Sequence, residues 1–294
     1  MGLLVYGLKL WKNLPVNDRR LFRIFSQGGD LTLRALSFFY VGVLILLPIA
    51  TITVLAFKGG LVNLGANVFA PQALYAMKLT FLTAFIMMIL NLLTGTATAW
   101  VLVRYNFPLK NLMSGLIDLP FAIPTVVTGI MLVALYGPRS FLGGILEKKG
   151  IEIVFAKPGI IMALLYVSFP FVVRAVQPVL QEMDKDMEEA AKTLGARPFT
   201  IFRRIVMPTI LPAVLTGAAL SFSRAIGEFG SIVIVSGNIP YKTQVASVYV
   251  YGELESYNQQ GALGVSVVLL LCSFIILVLL HRLQAWSRKH EHSR

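Results

Sequence analysis

Apolar residues along this chain come in unbroken blocks, not at the three-and-four spacing of an amphipathic helix or the alternation of a half-buried strand. Between Arg34 and Lys58 there is no charge. Ala35 to Phe57 is 23 residues, roughly 35 Å of helix at about 1.5 Å per residue, enough to cross a bilayer. Leu79 to Val103, flanked by Lys78 and Arg104, predicts a second span. Leu112 to Tyr136 predicts a third, interrupted by Asp118, Pro120 and Pro124. A shorter block around 159–173 predicts a fourth, at about 156–174. Thr209 to Ser236 is the fifth and encloses Arg224 and Glu228, and Ala262 to Leu280 is the sixth. The pattern predicts an all-α, polytopic membrane protein with six transmembrane helices over residues 35–281. A basic amphipathic segment, 1–34, precedes them and suits anionic headgroups; a cytoplasmic tail, 282–294, follows.

Composition agrees. The chain is 56% hydrophobic and 14% charged, with a mean hydropathy of +0.75, against about 25% charge in a soluble domain. The net charge of +12 points away from nucleic acid, because the basic residues sit at the ends of apolar spans and no nucleic-acid module is present. An even number of spans puts both termini on one side. Placing them inside assigns eighteen lysines and arginines to cytoplasmic segments and seven to outer loops, so the termini are predicted to be cytoplasmic. Cys272 is the only cysteine, which rules out an intrachain disulfide. His281, His290 and His292 sit near the carboxyl end without partner ligands, so no metal site is expected. No G-x-x-x-x-G-K-[ST] loop occurs, and with it goes any recognisable means of hydrolysing ATP within this chain.

The longest basic loop, 182–208, carries its own order. Asp184 or Asp186 can cap a short helix through Glu188, Glu189, Ala190, Ala191 and Leu194, with the carboxylates at its positive end and Gly195 in the left-handed position after it. Arg197-Pro198 can open a second helix. Phe199, Phe202 and Val206 would share one of its faces, and Pro208 would separate it from the next span. From the residues alone, an ordinary interfacial loop and a rigid lever approached by a soluble partner both fit.

Two spans carry residues that plain lipid-facing helices do not need. In the third, Pro120 and Pro124 free carbonyls while Thr125, Thr128 and Gly129 add polarity and close approach. Such a break is tolerated where it is packed in protein or lines a cavity; a packing kink also fits. In the fifth, Arg224 and Glu228 lie four apart and can pair on one helix face. Gly227, Phe229, Gly230 and Ser231 follow at once. A self-satisfied pair and a charged constriction that attracts an anion are both open, and Asp118 fits an interfacial structural role.

Several of these segments resemble known transporters. Glu189-Ala190-Ala191, Gly195, Ile205 and Pro208 match the E-A-A-x-x-x-G-x(9)-I-x-x-P coupling loop of bacterial binding-protein-dependent ABC permeases, with Met207 where leucine is usual. From about Arg34 to Arg282 the chain is similar to the sulfate/thiosulfate permeases, above all the T-type subunit. Asp118 to Gly129, Ala134 to Pro138, Pro170 to Leu180, Ile226 to Ser231 and Ser236 to Tyr241 carry that likeness. The molybdate permeases share Gly227-Glu228-Phe229-Gly230 and are the runner-up. The resemblance implies a type I ABC importer (MetI-like) permease fold in a bacterial inner membrane. It implies a heterodimer with a homologous W-type permease, two copies of an ATPase that bind the ATP and Mg, and a periplasmic binding protein that delivers the oxyanion. Glu188, Glu189, Ala190, Ala191, Gly195, Ile205 and Pro208 would then face the ATPase. Pro120, Pro124, Thr125, Thr128, Arg224, Gly227, Glu228, Phe229, Gly230 and Ser231 would border the pathway. A motor-independent secondary transporter is the rival of a different class; it should keep ion-coupling carboxylates and inverted repeats, and it leaves the 182–208 loop unexplained.

Overall fold

A computed structural model describes residues 32–291, so the predicted segment 1–34 falls almost wholly outside the described residues, as do the last three of the tail. Every regular element among the described residues is helical. The chain divides into two units, 1–58 and 59–294. The first contributes α1, Thr32–Phe57, 26 residues of high hydropathy. Its register is broken by a π-helical turn at Gly42–Leu46, immediately before Leu47-Pro48. Proline has no N–H for the carbonyl four residues back and its ring crowds that carbonyl. A wider turn relieves the crowding.

The second unit begins with α2 (Gly60–Val68) and the 34-residue α3 (Pro71–Arg104), about 51 Å long. Then come α4 (Lys110–Ala122), α5 (Thr125–Tyr136), α6 (Phe141–Lys148) and α7 (Lys157–Glu182). The short α8 (Asp186–Thr193) leads to α9 (Pro198–Ile226), α10 (Gly230–Val235), α11 (Ala246–Glu255) and α12 (Gln259–Glu291). Four of the sequence-predicted spans thus run longer than their apolar blocks: the second, fourth and sixth become α3, α7 and α12, and α1 starts at Thr32.

Two spans depart from a single helix. The third is α4 plus α5, bent by 113° across Ile123-Pro124. Pro120 lies inside α4, and Ile123, forced extended ahead of Pro124 (ψ 127°), ends it. The predicted fifth span, 209–236, is likewise two helices, parted at Gly227–Phe229.

The bundle is built on α3, α7 and α9. Small residues let these helices approach: a Cβ on Gly95 would come within 2.8 Å of Val172 Cβ, and one on Gly217 within 2.7 Å of Val172 Cα. This is the packing expected where lipid is as apolar as the core. Asn91 marks the crossing. Its Nδ2 donates to the Ser168 carbonyl (2.7 Å) and to Ser221 Oγ (2.9 Å), all three residues being fully buried. Val172, Val173, Val176, Leu180, Val206 and Ile210 pack on one side of it, and Met87, Ile160, Leu164, Ala225 and Ile226 on the other.

Candidate functional site

The two helix breaks meet. Gly230, at the start of α10, lies so close to Thr125, at the start of α5, that a Cβ there would collide with Thr125 Oγ1. One turn on, a Cβ on Gly129 would come within 2.8 Å of both the Ser231 carbonyl and Ile234 Cβ. Glycine at 230 therefore serves close approach here.

Glu228 closes the junction. Its Oε2 takes Arg224 Nη1 at 2.7 Å, and its Oε1 accepts from Ser231 N (3.0 Å) and Ser231 Oγ (2.9 Å). The Glu228 carbonyl accepts from Ser247 Oγ at 2.6 Å, which ties in α11. The side chain is 2% exposed, so a carboxylate with three donors holds the end of α9, the start of α10 and Arg224 together. Such saturation is what lets a charge persist in a buried position. Arg224 is different: its side chain is 37% exposed and one ion pair leaves most of a guanidinium's five donors unspent.

The remaining predicted residues lie around this junction. Gly227 is open, with nothing within 4 Å of a Cβ placed there. Phe229 stacks at 5.2 Å on Tyr251 of α11. Pro124 sits at the bend, where its carbonyl accepts from Thr128 N. Pro120 and Thr128 line an apolar cavity of about 910 Å³ between α4, α5 and α7, together with Met131, Met162 and Phe169. Thr128 Oγ1 is buried there without a hydrogen-bond partner.

A second ion pair was not visible in the sequence. Arg174 of α7 grips Asp118 of α4 through Nε (2.7 Å) and Nη2 (2.6 Å), and donates also to the Ser114 carbonyl (2.8 Å), Ser114 Oγ (3.0 Å) and Gln177 Oε1 (2.5 Å). Beside it Phe121 meets Phe171 edge-on at 5.2 Å. The two arginines' separation follows from the α7–α9 contacts. Ser168 touches Ser221, and Val172 touches Gly217, so the helices run antiparallel and Arg224 is level with residue 165. That places Arg174 about 14 Å further along α7, beyond the Asn91 crossing.

The loop at 182–208 forms an elbow. Asp184 Oδ1 accepts from Asp186 N (3.0 Å), and no side chain caps α8 at its boundary residue, Lys185. Gly195 follows α8 with φ +79°. The expected separation at Pro208 does not occur. Instead α9 runs on from Pro198 through a π-turn at Phe202–Val206 into Met207-Pro208, the same relief of proline crowding as in α1. The expected shared face also divides: Val206 is buried and Phe202 packs edge-on against Trp100 at 5.5 Å, but Phe199 is 72% exposed. Among the predicted elbow residues Glu189, Ala190, Gly195 and Pro208 are exposed, Ala191 and Ile205 are half-buried, and Glu188 is buried. Glu188 bonds Arg104 at the end of α3, whose guanidinium lies 5.5 Å over the Trp100 ring. In α11, burial, with Glu253 adding to it, pushes the Tyr249 phenol up to about 12.

Long apolar helices crossing at glycines, with two broken spans meeting at polar groups, are the architecture of a multi-pass membrane protein. Comparison with known proteins extends this. Residues 91–290 match the family described as "Binding-protein-dependent transport system inner membrane component". The chain is 43% identical over 255 residues to a probable sulfate transport system permease protein of Nephroselmis olivacea, covering 87% of this chain and 90% of that one. It is 40% identical over 253 residues to the sulfate transport system permease protein of Synechocystis sp., covering 86% and 88%. A crystal structure of a bacterial ABC transporter involved in import of the acidic polysaccharide alginate shares the fold with a TM-score of 0.72, at 17% identity over 92% of this chain and 99% of that chain. The inward-facing MetNI methionine transporter aligns at 0.55, with 19% identity over 72% and 94%. The chain belongs to the family of binding-protein-dependent transport system inner membrane components. That membership sets aside the motor-independent secondary transporter.

Proposed function

We propose that this chain is the sulfate-translocating membrane subunit of an ATP-driven importer, working by alternating access between two orientations of the helix bundle. The observation that carries the substrate is the near full-length likeness, at 40% and 43% identity, to proteins named as sulfate transport system permeases. It favours sulfate over molybdate. In this reading a binding protein delivers the oxyanion to the outer face, and a homologous permease completes the pathway. Two ATPase subunits, which bind ATP and Mg, dock on the elbow through Met187, Glu189, Ala190, Leu194 and Phe199, all exposed. The termini are cytoplasmic, as the lysine and arginine distribution requires, and the membrane is the inner membrane.

The junction of the two breaks supports the route. Arg224, held at one end by Glu228, keeps free donors for a dianion, while Gly227 leaves the surround open. Few fixed charges suit a path that must release its cargo. The test is ATP-dependent uptake of labelled sulfate into vesicles holding this chain, its partner permease, the ATPase and the binding protein. Uptake blocked by thiosulfate and little affected by molybdate is the expected result. Uptake of molybdate without sulfate overturns the substrate.

A further inference from the structure

We infer that the Glu188–Arg104 ion pair is the pin through which the elbow moves α3, so that Glu188 is a positioning residue inside the chain and not part of the ATPase contact surface. This rests on reading α8 as the helix on which the ATPase docks. Glu188 is the one residue of α8 that is buried, and the side chains of Glu188 and Arg104 are 11% and 10% exposed. A carboxylate so enclosed has little surface left to offer a partner. Its neighbours at the exposed tip, Leu194 and Phe199, are 88% and 72% exposed and have.

The chain itself joins the elbow to α7 at Met183 and to α9 at Pro198, but α3 has no covalent link to it. The ion pair ties the two together non-covalently. Arg104 is fixed from above by Trp100, and Trp100 in turn by Phe202 in the π-turn. The pin therefore grips α3 and the base of α9 together. α3 then runs as one helix past the Asn91 crossing to Leu79, Thr80 and Ala84. There Leu79 and Ala84 pack in one cluster with Ala225, Ile226 and Ile232, on either side of the α9–α10 break. Thr80 Oγ1 accepts from Ala246 N (2.8 Å), at the start of α11. A displacement of α8 thus reaches the helices that hold Arg224 and Glu228 by way of a stiff rod. A largely buried charge pair against an indole suits this role because separating it would leave each charge uncompensated.

The experiment uses the assembled transporter and reads four quantities: ATPase retained on the permease, ATP hydrolysed, sulfate taken up, and amide exchange across 186–194. Glu188→Gln should lower uptake per ATP hydrolysed roughly tenfold and speed exchange in α8 about tenfold, with the ATPase still bound. The swapped pair, Arg104→Glu with Glu188→Arg, should recover to within about threefold. ATPase lost from Glu188→Gln would make Glu188 a docking contact and overturn the pin. So would unchanged exchange, or a swap no better than either single variant. Leu194→Asp tests the underlying reading separately: an ATPase that stays fully bound there overturns docking on the elbow, while the exchange measurement still decides the pin.

Discussion

Arg174 and Arg224 occupy facing helices, offset by about 14 Å along them, each beside a carboxylate, and they do different work. Arg174 spends its fork on both oxygens of Asp118, on two atoms of Ser114 and on Gln177. It binds α4, otherwise an exposed half-span, to α7. Arg224 makes one ion pair, to a carboxylate whose other oxygen is already filled by Ser231. Charge within a span is therefore a poor guide to function; the unspent donors distinguish a brace from a receptor. A saturated guanidinium has no capacity for a passing anion.

The largest effect is expected from Glu228→Ala. It leaves Arg224 unpaired and the start of α10 without its acceptor, costing about 3 kcal/mol. Thermal unfolding of the purified permease pair should show it, and a loss under 1 kcal/mol would mean Glu228 is no clamp. Next comes Arg224→Lys, which keeps the charge and can keep the pair but loses the fork. Sulfate uptake should fall about tenfold with little change in stability, and equal uptake would erase the contrast between the arginines. Asp118→Asn should cost about 1 kcal/mol or less, because both partners are partly exposed, and should slow uptake less than about threefold. A larger loss of uptake than from Arg224→Lys would reverse the assignment. Smallest is Thr128→Val: its hydroxyl is buried and unbonded, so stability should hold or rise by a few tenths of a kcal/mol. A clear loss of uptake would bring the apolar cavity into the pathway.

What the sequence made legible follows from range. The apolar blocks, the Arg224–Glu228 pair four residues apart and the left-handed glycine after α8 are local, and local chemistry can be read along a chain. Asp118 and Arg174 are 56 residues apart and Arg104 and Glu188 are 84. Asp118, Arg104 and Glu188 each stood out singly, but no spacing joins either pair. Glu188 was grouped with the exposed face of α8 because its neighbours belong there; only packing against α3 turns it inward. The breaks were half legible. Two prolines announced the first. At the second, Gly227 and Gly230 were present but read as one continuous span, since nothing local says that Thr125 leaves no room for a side chain at Gly230. Pro208 misled in the opposite direction, because a π-turn absorbs a proline that would otherwise end a helix.

That turn makes chain length a variable of its own. A residue more or fewer in an α-helix rotates everything beyond it by about 100°, and a π-turn holds one residue in excess of the α-helical count. The five residues from Phe202 to Val206 therefore set the compass bearing of the elbow as seen from α9. Deleting any one of them, whatever its side chain, would return the segment to plain α-helix. It would also aim Leu194 and Phe199 in a different direction, so here the number of residues carries information of its own, separate from their identity.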